Sequence, residues 1–233
     1  PDFREQLHLL DEVVPVVASP GLDGIFLTHA HMGHYTGLMF LGFESIGADA
    51  VPVYAMPKMA SYLESNGPWD QLVRYHNIAL RRLSDRIAVS LNGRLTVTPF
   101  LVPHRQEYSE VAGFRIEGPR RSVVFIPDIN GWEEWDDWGT RVEEVIAATD
   151  VAYLDGSFFA HGEIPGRDMS GFPHPLISDS MRRFSTLPAE EKGKIRFIHL
   201  NHTNPVLRPG SDARREVETA GFHIAEELER MPL

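Results

Sequence analysis

The sequence has 233 residues, of which 42% are hydrophobic and 24% charged, a balance typical of one globular domain with a buried core. Aspartate and glutamate (33) outnumber lysine and arginine (22), and no dense basic run occurs, so we expect no nucleic acid as a partner. No apolar stretch has the length of a membrane span, so we expect no membrane partner either. The absence of cysteine excludes thiolate ligands within this sequence and favours a reducing, cytoplasmic location.

Hydrophobic periodicity and turn residues predict alternating helices and strands. In the first half we expect a helix over 2–10 capped by Asp2, a break at Pro15 and Ser19–Gly21, a strand over 25–28, a helix over 35–41, a strand over 51–55 and a helix over 57–63. Asn92-Gly93 is the strongest hairpin signal and predicts paired strands over 86–91 and 94–101. A second pair is expected over 111–117 and 122–126.

The second half is predicted to alternate between helices and single buried strands. We expect helical structure over 131–149, a strand over 151–154, a long loop over 155–173, a helix over 174–184, a strand over 195–200 and a helix over 211–220 that Ser211 caps and Gly221 ends. Loops as long as the one over 155–173 usually carry function. Strand pairs mixed with helices indicate sheets covered by helix layers.

A histidine cluster follows the first predicted strand. His29, His31 and His34 lie within six residues, and histidine is the commonest metal-binding side chain. In an extended segment His29 and His31 project to the same side, and His34 begins the next predicted helix. A solvated polar turn is the alternative interpretation. We interpret the cluster as part of a metal site that later residues complete.

Four later residues stand at the ends of predicted strands, where a sheet delivers side chains to a shared edge. These residues are His104, Asp128, Asp155 and His199. Ordinary strand-end polarity is the alternative explanation for His104 and Asp128. Asp155 either accepts hydrogen bonds from metal-ligating imidazoles or caps the loop that follows it.

The order of these residues resembles the metallo-β-lactamase superfamily: His-x-His-x-x-His, then a histidine, an aspartate and a late histidine, each after a strand. The stretches 154–158 (LDGSF) and 197–205 (FIHLNHTNP) look most similar to its pyrroloquinoline-quinone biosynthesis protein B-like and phosphodiesterase-like branch. The resemblance implies an α/β fold, a four-layer αββα sandwich. It also implies that 1–233 is a single domain whose N-terminal strands are missing from this chain.

The resemblance further implies a binuclear site that holds one or two Zn²⁺ ions, with Mn²⁺ or Fe²⁺ as alternatives. Carried over by position, the ligands of the first metal are His29, His31 and His104, and those of the second are His34, His199 and a bridging Asp128. Asp128 is therefore also a candidate catalytic residue. His174 and His202 are the two candidates for proton transfer.

Gly33 departs from the superfamily pattern, which usually places aspartate between the second and third histidines of the cluster. Two imidazoles and one carboxylate still bind zinc, and they also form the facial triad of iron(II) oxygenases. We therefore weigh three functions: hydrolysis of a small ester, lactone or phosphodiester, which the sequence favours; iron-dependent oxygenation in cofactor biosynthesis; and metal binding without catalysis. A small-molecule substrate is expected, and the oligomeric state is open, with a homodimer as one alternative.

Two further features carry competing interpretations. Glu107 is either a proton carrier or the partner of Arg105 or Arg120 in a surface salt bridge. Trp132, Trp135 and Trp138 recur at every third residue after Asp128, which indicates helix packing or, as the alternative, an aromatic wall over the site.

Overall fold

The computed structural model describes residues 2–14 and 21–233, which form two compact units. Unit 1 contains residues up to Ile87 together with Gln106–Ala112, and unit 2 contains Ala88–Arg105 and Gly113–Leu233. The break expected at Pro15 and at Ser19-Pro20 lies outside the described residues. The single domain over 1–233 stays a prediction.

Unit 1 is built on a parallel three-stranded sheet in the order β1-β2-β3. Its strands are β1 (Ile25–Phe26), β2 (Val51–Ala55) and β3 (Ile78–Arg82). Its helices are α1 (Phe3–Val13), α2 (Met32–Tyr35), a 3₁₀ turn (Thr36–Leu41), α3 (Pro57–Ser65) and α4 (Trp69–Arg74). Apolar side chains from both layers form one buried cluster that includes Leu41, Val53, Met59, Leu63 and Ile78.

Most predicted elements of unit 1 are confirmed, but β1 ends at Phe26 and not at Thr28, and three further differences occur. Helix α1 is present, but the side chain of Asp2 makes no capping hydrogen bond. The helix expected over 35–41 is the short helix α2 continued by a 3₁₀ turn, so His34 lies inside α2 and does not begin it. Helix α4 and strand β3 were not predicted, because their apolar runs are short.

Unit 2 contains a seven-stranded sheet in the order β10-β9-β8-β7-β6-β5-β4. Both predicted hairpins are confirmed as antiparallel pairs, β4 with β5 and β6 with β7, whereas β7, β8, β9 and β10 pair in parallel. The strands are β4 (Val89–Asn92), β5 (Leu95–Leu101), β6 (Ala112–Glu117), β7 (Ser122–Ile126), β8 (Val151–Asp155), β9 (Ile195–Ile198) and β10 (His223–Ile224). Because β7, β8 and β9 run in parallel, their carboxyl ends meet at one edge of the sheet.

The helices of unit 2 follow the prediction with shifted boundaries, except for α8, which was not predicted. They are α5 (Trp132–Asp137), α6 (Val142–Ala147), α7 (Ile177–Arg183), α8 (Ala189–Lys192) and α9 (Asp212–Thr219). Gly139 has φ +82°, a left-handed conformation that ends the predicted helix over 131–149 and divides it into α5 and α6. Ser211 caps α9 as predicted, since its hydroxyl accepts a hydrogen bond from the Arg214 amide.

Two predicted boundaries near the candidate site are wrong. Helix α7 begins at Ile177, so His174 lies in the preceding loop; the residue before a proline disfavours helical backbone, and Pro175 follows His174. Strand β9 ends at Ile198, so His199 follows the strand with φ +65°. Sheets flanked by helices are confirmed as the fold class, and no helix within residues 2–14 and 21–233 is long and apolar enough to cross a membrane.

Candidate metal centre

Asp128 is the centre of a cluster at the carboxyl edge of the parallel strands in unit 2. It follows β7 and is 3% exposed. Its Oδ1 lies 3.1 Å from Nε2 of His104, and its Oδ2 lies 3.9 Å from Nε2 of His199. The two carboxylate oxygens therefore each face an imidazole.

The outer nitrogen of His199 is held by a short chain of hydrogen bonds. The Ser157 hydroxyl donates to Oδ1 of Asp155 at 2.8 Å and lies 2.7 Å from Nδ1 of His199. Because the hydroxyl has a single proton and gives it to the carboxylate, it accepts from Nδ1–H of His199. A neutral His199 in this tautomer presents the lone pair of Nε2 towards Asp128.

His104 is held in the same way. Its Nδ1 lies 3.1 Å from Oδ1 of Asn130, and the amide group of Asn130 donates to Glu134 at 2.8 Å. The Asn130 oxygen thus accepts from Nδ1–H, and in the neutral ring the lone pair of Nε2 faces a carboxylate oxygen of Asp128. A cation removes the repulsion between such facing lone pairs, and outer partners of this kind are what metal-ligating imidazoles have. The residues therefore fit a divalent metal ion.

His174 and Asp155 form a buried acid–base pair beside Asp128. Nδ1 of His174 lies 2.9 Å from Oδ2 of Asp155 and 3.2 Å from Oδ1 of Asp128. Burial acts to lower the pKa of His174, but the hydrogen bond to Asp155 and the negative charges of Asp155 and Asp128 outweigh it and raise the pKa above its ordinary value. Asp155 also accepts from the Ser157 amide at 2.9 Å, as predicted for a residue that caps the following loop, whereas its direct imidazole partner is His174, which is not one of the predicted metal ligands.

In unit 1 the imidazoles of His29 and His31 lie close together. Nε2 of His29 and Nδ1 of His31 are 2.8 Å apart, somewhat closer than the about 3.3 Å that separates two nitrogen ligands of a tetrahedral zinc ion. Each ring is held from its other side: Thr28 Oγ1 lies 3.1 Å from Nδ1 of His29, and Glu107 Oε2 lies 2.9 Å from Nε2 of His31. The sequence did not indicate the contact between Glu107 and His31.

His34 stands next to this pair, and Gly33 leaves open space. The ring of His34 lies 4.2 Å from that of His29, measured between centroids. A Cβ atom placed on Gly33 meets no atom within 4 Å, so the aspartate of the superfamily pattern is absent from a position that has room for it.

The structure thus groups the predicted site residues within each unit. Unit 1 gathers His29, His31 and His34, and unit 2 gathers His104, Asp128, Asp155, His174 and His199. His202 is exposed and does not belong to the unit 2 cluster of His and Asp side chains, so the structure does not place it as a proton-transfer residue. Sequence reasoning missed Ser157, Asn130 and Thr28 as partners of the imidazoles, although each lies within two residues of a named candidate.

A cavity of about 570 Å³ in unit 2 has His174 in its lining. Apolar side chains (Trp132, Phe172) and polar ones (Asn130, Arg182) line the same space. The predicted packing role holds for Trp132 and Trp135, which are each 2% exposed, whereas Trp138 is 47% exposed. Trp132 therefore serves both as core and as one wall of the cavity.

Comparison with known proteins places these observations in a family. The family model described as "Beta-lactamase superfamily domain" matches residues 1–192. The chain is 24% identical to "Coenzyme PQQ synthesis protein B" of Methylorubrum extorquens over 250 aligned positions, with 97% of this chain and 78% of the relative covered. It is 26% identical to the protein of the same name from a Methylobacterium species, with the same coverage.

A solved structure shares the fold. The crystal structure of Zn²⁺-bound PqqB from Methylobacterium extorquens matches with a TM-score of 0.80 and 20% sequence identity, covering 100% of this chain and 81% of that one. The metallo-β-lactamase fold expected from the sequence is confirmed, and so is the resemblance to the protein B branch.

Proposed function

Because the chain belongs to the beta-lactamase superfamily, whose domain model matches residues 1–192, we propose that it is a metal-dependent enzyme that acts on a small molecule in the synthesis of a pyrroloquinoline-quinone-type cofactor. The names of its relatives support this role more than the hydrolysis that the sequence alone favours. The observation that carries the proposal is Asp128, a buried carboxylate that two imidazoles face with Nε2 while their outer nitrogens are already bonded.

The proposed ligands follow the sequence assignment. Asp128 is well suited to bridge two ions, because its Oδ1 faces His104 and its Oδ2 faces His199. The donors are imidazole nitrogens and carboxylate oxygens, which suit Zn²⁺, Mn²⁺ and Fe²⁺. The proposed set is His29, His31 and His104 for one ion, and His34, His199 and the bridging Asp128 for the other.

The reaction that we propose first is iron(II)-dependent oxygenation. Iron(II) held by two imidazoles and one carboxylate supplies the activation of dioxygen. His174 holds a proton on Nδ1 towards Asp155, which fixes the ring and leaves Nε2 to exchange a proton with the substrate. The cavity of about 570 Å³ that His174 lines has a volume suited to a small organic substrate.

Elemental analysis and oxygen uptake test this proposal. We expect gently purified protein to contain at least about one zinc, manganese or iron ion per chain, as its donor set implies. We expect oxygen uptake with ferrous iron, lost in Asp128→Asn and reduced about 10²-fold in His174→Gln. His202→Gln tests the other predicted proton-transfer residue, and His223→Gln, an exposed histidine of β10, is the matched control. Metal-free protein, or equal losses in all three histidine variants, would contradict the proposal.

Hydrolysis is the second candidate function, because the pair of His174 and Asp155 beside Asp128 suits general acid–base catalysis as well. A zinc ion lowers the pKa of its bound water to about 7. Turnover of bis-p-nitrophenyl phosphate or a lactone with added Zn²⁺ or Mn²⁺, in the absence of oxygen, would favour this function. Tight metal binding with neither activity would identify a metal-binding protein without catalysis.

A further inference from the structure

A second cavity lies in unit 1 and is formed only by residues between Met39 and Asn77. It has a volume of about 420 Å³, and none of the proposed metal ligands lines it. We call it the Asn77 cleft; the lining residues that matter here are Phe43, Glu44, Trp69, Leu72, Tyr75 and Asn77.

Asn77 lines this cleft and carries an unsatisfied acceptor. Its side chain is buried, with 5% of the residue exposed, and Nδ2 donates to the carbonyl of Ala48 at 3.0 Å. That bond fixes the orientation of the amide. Its Oδ1 is buried and has no hydrogen-bond partner among residues 2–14 and 21–233. Buried polar atoms are nearly always bonded, so Oδ1 indicates a donor supplied from outside the described residues.

The walls of the cleft are apolar and unusually exposed. Phe43 is 76% exposed and Tyr75 is 59% exposed, although aromatic side chains are generally well covered. Trp69 packs edge-on against Tyr35 at 4.8 Å, so the indole has a fixed position in the wall. Aromatic walls around one convergent polar atom are the usual composition of a small-molecule site.

The charges at the cleft favour a cation. Glu44 is a lining residue, and no lysine, arginine or histidine lines the cavity. Among the described lining residues its carboxylate has no cationic counterpart, and the guanidinium of Arg4 stacks on the ring of Phe40, another lining residue, at 5.7 Å. Aromatic faces such as that of Trp69 also attract ammonium groups, so an anionic ligand is disfavoured on both counts.

We propose that the Asn77 cleft binds a small organic ammonium ligand. Its ring or chain packs against Phe43, Trp69 and Tyr75, an N–H group donates to Oδ1 of Asn77, and its charge is balanced by Glu44. The site is distinct from the proposed metal centre and does not rest on the function proposed above, since none of the proposed metal ligands lines it.

Calorimetry on the full chain, supported by ligand-observed NMR, tests the site with three matched probes: 2-phenylethylamine, 2-phenylethanol and phenylacetate. We expect the amine to bind best and phenylacetate not to bind at about 10 mM. Glu44→Gln is expected to lower the affinity for the amine about fivefold and to leave the affinity for the alcohol unchanged. Asn77→Leu is expected to weaken both about tenfold, because both donate to Oδ1.

Control variants distinguish binding in the cleft from nonspecific binding elsewhere on the protein. Glu190→Gln makes the same substitution on exposed helix α8, outside the cleft lining, and is expected to leave all affinities unchanged. Tyr75→Ala, at an exposed wall residue, keeps the test valid if Asn77→Leu does not fold. Phenylacetate binding as tightly as the amine, no saturable binding of the amine, or amine affinity unchanged in both Glu44→Gln and Tyr75→Ala would each overturn the proposal.

Discussion

Asp155→Asn should destabilise unit 2 strongly, because both carboxylate oxygens accept from backbone amides. Oδ1 accepts from the Ser157 amide at 2.9 Å, and Oδ2 accepts from the Ile129 amide at 3.1 Å. An asparagine has only one oxygen. Whichever way its amide is turned, the NH₂ group points at one of these two backbone N–H groups, at a residue that is 0% exposed.

The expected loss follows from the contacts that disappear. One backbone N–H is left buried without an acceptor, which costs about 1–3 kcal/mol, and the bonds that remain lose the charge of the carboxylate. We therefore expect the free energy of unfolding to fall by about 2–4 kcal/mol. For a chain of this size, each kcal/mol lost from the free energy of unfolding lowers the midpoint of thermal unfolding by about 2–4 °C. The midpoint should therefore fall by about 10 °C.

Asp150→Asn is the matched control at the other end of β8. Asp150 accepts from the amide and the hydroxyl of Ser122, at 2.7 and 3.0 Å, and both bonds end on the same oxygen, Oδ2. Its asparagine keeps an oxygen there and turns the NH₂ group towards solvent, so we expect a loss of about 1 kcal/mol or less. Both variants are measured by thermal and urea unfolding with excess chelator, so that bound metal does not contribute. Equal losses in the two variants would refute this reasoning.

Three further predictions concern the metal centre and the helices of unit 2. Gly33→Asp should raise metal stoichiometry, because the position is open, and unchanged elemental analysis would mean that the ligand set is misplaced. Glu107→Gln should weaken metal affinity about 10–100-fold in competition with a chelator, since it removes the carboxylate that holds His31; no change would place Glu107 outside the site. Glu143→Gln should lower stability by about 1–3 kcal/mol, because it breaks a two-pronged bond to Arg183 at 2.7 and 2.9 Å. Burial acts to raise the pKa of Glu143, but Arg183 holds this pKa below its ordinary 4.5. In urea unfolding, the stability difference between the variant and the wild type should therefore be full above pH 4.5 and shrink as the pH falls further. A stability difference that does not depend on pH would contradict this.

Much of the sheet in unit 2 could be predicted, because its signals are local. Asn92-Gly93 fits a tight turn between two runs rich in apolar and β-branched residues, and these runs form the antiparallel pair β4 and β5. Asp128 was found as a polar residue just after a predicted buried strand, and His199 as one near the end of another. The parallel pairing of β7, β8 and β9 then brings them to one edge, which no short stretch of sequence shows.

The exact ends of the elements could not be predicted from periodicity alone, and at the site these ends decide what a residue does. Periodicity extends the last strand through His199, but its backbone turns left-handed there, with φ +65°. Its Nδ1 then lies 2.7 Å from the Ser157 hydroxyl, a residue 42 positions earlier in the chain. A bond between residues so far apart depends on tertiary structure, so sequence patterns could name His199 as a ligand but could not name its partner.

The hydrogen bonds around the imidazoles orient the histidines of the candidate metal centre and select their tautomers. Ser157 and Asn130 each accept from an Nδ1–H group and so direct the Nε2 lone pairs of His199 and His104 towards Asp128. Ser157 can do so only because Asp155 takes its single hydroxyl proton. The same carboxylate, through its other oxygen, holds the Nδ1 proton of His174. One buried aspartate therefore sets both the tautomer of a proposed ligand and the protonation of the proposed proton-transfer residue, and replacing it should impair metal affinity and catalysis together.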